Sequence, residues 1–198
     1  MANKDTMAAL MMVALTGCGG GASSGSGEGT TAARAPSQAA SASQFVAAID
    51  AALAAHPDAR IFEVEIDDTH HVGFLEVEFF SGETAHEIFF DPGTMEVIDD
   101  RPEPVDPADA EVHAAVRARL DAGEGNVRAV LESGAMNSHA IETVQEVELT
   151  MLEGHYVVAV EVLRDGARTE LFHALDGSYL GGRDEALAAL AQPASATP

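Results

Sequence analysis

Beyond residue 60, apolar and polar residues alternate with a period of two along much of the chain. Phe62, Val64 and Ile66 alternate with Glu63, Glu65 and Asp67, which predicts a half-buried strand. A second such run covers 73–80, with Leu75, Val77 and Phe79 inward, and a third covers 85–90 beyond Ser81-Gly82. The turn Asp91-Pro92-Gly93-Thr94 then leads into a fourth at 95–98. Ahead of these strands, Ser41 and Gln44 have the spacing of a capping box, and Phe45, Ile49, Ala52 and Leu53 share one face of a helix that stops at His56-Pro57.

The stretch 99–111 contains Pro102, Pro104 and Pro107 among six acids and reads as a stiff, solvated linker. Asp106 and Pro107 can open a helix whose apolar stripe is Val112, Val116 and Leu120, and a shorter helix is expected over 126–133. Period-two patterning then returns. An offset of 83 residues carries Glu63-Val64-Glu65-Ile66 onto Glu146-Val147-Glu148-Leu149, and Leu75, Val77, Glu78 and Phe79 onto Val158, Val160, Glu161 and Val162. The chain contains an internal repeat. The expected fold is α+β, with two tandem units at 41–99 and 107–182, each a helix or helices packed on a small antiparallel sheet. An acidic linker at 100–106 joins them, and an Ala-rich tail at 183–198 follows.

The N-terminal region has neither period. Residues 7–15 are a short apolar run, of signal-peptide length and too short to span a bilayer. Leu15-Thr16-Gly17-Cys18 resembles the lipobox of bacterial lipoproteins, which implies a signal peptide at 1–17 and lipidation of Cys18. This is the only cysteine in the chain. Small and polar residues over 18–40 read as a flexible tether.

Helix, Glu-x-Glu strand, strand, hairpin and a closing Asp91-Pro92-Gly93-Thr94-Met95-Glu96-Val97-Ile98 together resemble the PepSY domain of secreted and membrane-attached bacterial proteins. Met95 stands where that family's motif has Gly; in the second copy Gly177 keeps the Gly and His173 replaces the Asp. The resemblance implies a small α+β fold and a role in restraining peptidases or modulating other secreted proteins by contact.

Charge narrows the function further. The 198 residues carry 10 basic and 33 acidic side chains, a formal net charge of −23, and the only lysine is Lys4, which excludes binding to nucleic acid by phosphate neutralisation. There is no His-Glu-x-x-His, no P-loop and no cysteine pair, so no catalytic residue, cofactor or metal ligand is assigned. The turn Asp67-Asp68 with His70-His71 offers a weak divalent-metal site, although Gly154 replaces His71 in the repeat.

If Val64, Val77 and Ile88 face the helix, then Glu63, Glu65, Glu76, Glu78 and Glu87 face away, with Phe80 and Phe89 among them. The repeat places Leu163 and Phe172 at the matching positions, beside Glu148, Glu161 and Glu170. Apolar groups rimmed by carboxylates predict a contact surface made of Phe80, Phe89, Leu163, Phe172, Glu76, Glu78, Glu161 and Glu170. Either the two copies pack together through it or it binds another protein. The expected function is a non-catalytic binding module, lipid-anchored in the bacterial cell envelope and facing periplasm or exterior. Its partner would be an envelope or secreted protein, a peptidase being the one implied by the resemblance, and its only membrane contact the lipid. The alternative is an envelope divalent-metal-binding or sensing protein.

Overall fold

The computed structural model describes residues 40–67, 71, 73–103, 110–133, 143–164 and 167–192, all within the compact unit Ala35–Pro198. The signal segment, Cys18, the tether as far as 39, Asp68, His70, linker residues 104–109 and the last six residues lie outside the described residues.

The elements in chain order are α1 (Ala42–Ala55), β1 (Arg60–Ile66), β2 (Leu75–Ser81), β3 (Thr84–Phe90), β4 (Val97–Pro102), α2 (Ala110–Asp121), α3 (Val127–Leu131), β5 (Thr143–Leu152), β6 (His155–Arg164), β7 (Ala167–His173), β8 (Tyr179–Gly181) and α4 (Arg183–Leu190). The capping box forms as its sequence predicts: Ser41 N–H donates to Gln44 Oε1 at 3.0 Å and Gln44 N–H to Ser41 Oγ at 3.3 Å. Asn126 caps α3, its Oδ1 accepting from Ala129 N–H at 3.1 Å.

Two separate helix-on-sheet units do not form. All eight strands make one antiparallel sheet in the order β4-β3-β2-β1-β5-β6-β7-β8. The two repeats meet edge to edge through β1 and β5, with Glu63 opposite Glu148, Val64 opposite Val147 and Glu65 opposite Glu146. A four-stranded unit ending at β1 leaves a row of unpaired N–H and C=O groups, and the matching edge of the other repeat satisfies them. Part of the expected linker is also strand. Asp99, Asp100, Arg101 and Pro102 belong to β4, an edge strand where a proline is tolerated.

One face of the sheet packs on α1 and α3. Val64, Val77, Ile88, Val147 and Val160 form a buried row across five strands beneath Phe45, Ile49, Ala52, Val127 and Val130. The other face is only partly covered. Near β1 and β2, α2 lays His113 against Phe62 and Phe80; near β6 and β7, α4 seals Leu152, Val157, Ala159 and Phe172 with Ala186. After the Asp91 turn Met95 stands at φ 57°, and its counterpart Gly177 at φ 84°, the left-handed region that favours glycine.

Candidate functional site

The same alternation that sends valines toward α1 sends glutamates to the partly covered face. Strand register then lines them up. Glu76, Glu65, Glu146, Glu161 and Glu170 are direct neighbours along β2, β1, β5, β6 and β7. Beside that row, Glu87, Glu78, Glu63 and Glu148 are direct neighbours along β3, β2, β1 and β5. Directly opposed residues hold their Cβ atoms roughly 4.5–5.5 Å apart, and like charges so placed repel.

Cations meet these rows toward their ends. Arg101 Nη2 lies 2.7 Å from Glu87 Oε2, and Arg168 Nη1 lies 2.9 Å from Glu161 Oε1. In the middle, among the described residues, Glu63, Glu76 and Glu146 have neither an ion pair nor a hydrogen bond. Glu78 shares a hydrogen bond with Glu103, and Thr150 donates to Glu148. Burial, reinforced by neighbouring carboxylates, pushes Glu76 and Glu78 up to about 9 and Glu146 up to about 8. Glu63 is raised well above the usual carboxylate range for the same reasons, and Glu103, Glu148 and Glu170 are raised chiefly by burial. This face therefore carries much less than its formal charge at neutral pH.

The structure separates the predicted contact residues into two groups. The four acids, Glu76, Glu78, Glu161 and Glu170, share one face as expected. The apolar members do not present a free surface. Phe80 is stacked on Phe62 at 4.7 Å and edged by His113 at 5.8 Å. Phe89 is edged by His71 at 4.5 Å with the Arg101 guanidinium 5.2 Å over its ring. Phe172 lies under α4, and Leu163 is half-buried opposite Thr143. Each buried ring is covered by its own chain, so neither the face-to-face packing of repeats nor an apolar docking patch forms there.

The imagined histidine site does not assemble among the described residues. His71 Nε2 is 3.4 Å from Asp99 Oδ2, and His86 stacks on Phe79 at 5.3 Å, on the α1 side of the sheet. Carboxylates instead converge one step further in: Glu65, Asp67 and Glu76 each place an oxygen within 4.8 Å of the others, as do Glu63, Glu65 and Glu78. Glu146 and Glu103 belong to this face but were not among the predicted site residues. Glu146 is placed by the β1–β5 register, and Glu103 by β4 extending into the presumed linker.

No family model matches the sequence, and no curated protein matches it. The resemblance to PepSY domains therefore rests on the quoted residues alone. A crystal structure of a putative lipoprotein from Clostridium difficile 630 is similar at a TM-score of 0.39 and 17% identity, covering 67% of this chain and 87% of that one. A likeness of that extent determines neither fold nor function here.

Proposed function

We propose that this is a non-catalytic envelope protein, anchored by lipid on Cys18, that binds a slim cationic ligand on the glutamate face of its sheet. The observation that carries the reading is the pair of cross-strand rows, nine glutamates in direct register with few cations between them. A sheet that merely needed solvation would alternate signs across its strands, because opposed like charges cost stability. Selection for a cationic ligand accounts for that cost. The helices α2 and α4 flank the rows, and Glu76 and Glu87 are buried, which favours a metal ion or an amine chain over a broad basic protein surface. Lipid anchoring is supported by the apolar run at 7–15 and by Leu15-Thr16-Gly17-Cys18. Among the described residues, no helix is long and apolar enough to cross a membrane.

The test uses spermine, a linear polyamine, titrated calorimetrically into the full chain and into a Glu65→Gln, Glu146→Gln variant at low and physiological salt. The reading expects saturable binding that the variant weakens at least tenfold. Equal binding by both chains would place the cation elsewhere and defeat it.

A further inference from the structure

The glutamate row that runs through Glu65 ends at Glu76 on β2, where three carboxylates converge. Glu76 is only 5% exposed, and among the described residues it has neither hydrogen bond nor ion pair. Its carboxylate is aimed at those of Glu65 and Asp67, with one oxygen of each within 4.8 Å of the others. A buried carboxylate without a partner is costly. Arg101 acts on Glu76 electrostatically, but its guanidinium pairs directly with Glu87 and Asp99.

We propose that Glu65, Asp67 and Glu76 form a binding site for one divalent cation of the calcium class. The inference rests on the reading of this face as cation-binding and names the ion and its ligands. All three donors are oxygens, which suits hard cations, and among the described residues no imidazole or thiolate joins the cluster. Oxygens bound to calcium lie about 2.3–2.6 Å from the ion, so those on opposite sides are roughly 4.6–5.2 Å apart, and the cluster's oxygens, all within 4.8 Å of one another, fall inside that upper bound. The donors come from positions two apart along one chain segment and from the strand beside it. That irregular set suits calcium's flexible coordination better than the strict octahedron of magnesium.

The backbone already holds part of the site. Asp67 is completely buried, and its Oδ2 accepts from the N–H of His71. Asp67 N–H donates to Phe74 O at 2.9 Å, and Gly73 N–H donates to Asp67 O at 2.7 Å, which ties the segment after β1 to the start of β2. Glu65 stands opposite Glu76 in the β1–β2 ladder. A ligand set fixed in this way loses little freedom when the ion arrives.

The experiment is calcium titration of the full chain at 150 mM salt, followed by calorimetry and by melting temperature, on wild type, Glu76→Gln and the control Glu132→Gln, an exposed partner of Arg128 at the end of α3 on the opposite face. Spermine is titrated in parallel. The proposal expects one equivalent of calcium to bind and raise the melting temperature of wild type. It expects affinity to fall at least tenfold in Glu76→Gln and to stay within twofold in Glu132→Gln. Circular dichroism establishes that both variants are folded. Calcium binding unchanged by Glu76→Gln, or no binding at millimolar calcium while spermine still binds, overturns the site and leaves the face reading intact. Loss of both ligands from wild type overturns the site and the reading together.

Discussion

Val64 on β1 and Val147 on β5 are direct cross-strand partners, both fully buried, and they are each other's counterparts in the 83-residue repeat. The pair marks a local two-fold relationship, because Glu63 meets Glu148 and Glu65 meets Glu146 on either side of it. The two repeats thus share one core row instead of having one each, and they should unfold together. Val64→Ala and Val147→Ala are each expected to cost about 1–3 kcal/mol, or roughly 2–4 °C per kcal/mol for a chain of this size. In the double variant the costs should not add, since the residues touch. Calorimetry and circular dichroism should report one transition; two separate transitions would mean that the sheet is not a single cooperative unit.

Stability of the calcium-free protein should fall as pH rises from 5 to 9. Glu76, Glu78 and Glu146 hold protons in the folded state up to about 9, about 9 and about 8, whereas an unfolded glutamate releases its proton near pH 4.3. Between those limits the folded chain binds more protons than the unfolded one, so each pH unit upward favours unfolding. Glu65, Glu148, Glu161 and Glu170 face Glu146 and act in the same direction. Melting temperatures across this range in the presence of chelator check the sign, and a flat or rising profile contradicts it.

Glu76→Gln separates a structural carboxylate from a functional one. In chelator, the variant should melt above wild type, with a gap that widens from pH 5 to pH 9 and cannot exceed about 1.4 kcal/mol per pH unit. A residue retained for packing would show the opposite sign. Comparing melting curves of the two proteins at pH 5 and pH 9 decides between them.

Phe172→Ala should be destabilising without weakening ligand binding. Phe172 is 1% exposed and lies under α4 against Ala186 and Leu152, so its truncation is expected to cost about 3–5 kcal/mol. Spermine affinity, measured well below the melting temperature, should be unchanged. A large loss of affinity in a folded variant would return Phe172 to the binding surface.

Much of the local structure is legible in the sequence. The Ser41–Gln44 box sets the start of α1, the Glu-x-Glu alternation sets the faces of β1 and β5, and the offset of 83 identifies their equivalence. Pairing between the repeats is not legible, because an open edge strand at β1 can pair with any matching edge. Without that pairing, Glu146 cannot be seen to extend the row from Glu65. Coverage of Phe80, Phe89 and Phe172 is equally hidden, since it depends on where α2, His71 and α4 come to rest in space. The carboxylates of the candidate site could be assigned to a face from alternation, but their convergence at Asp67 depends on its backbone bonds to Phe74 and Gly73.

The most direct measurement is a crystal structure of the full chain grown with millimolar calcium. The account predicts a cation between Glu65, Asp67 and Glu76, at about 2.3–2.6 Å from an oxygen of each. Calcium-saturated crystals in which these three carboxylates hold only water, with Glu76 still unpaired, would contradict it.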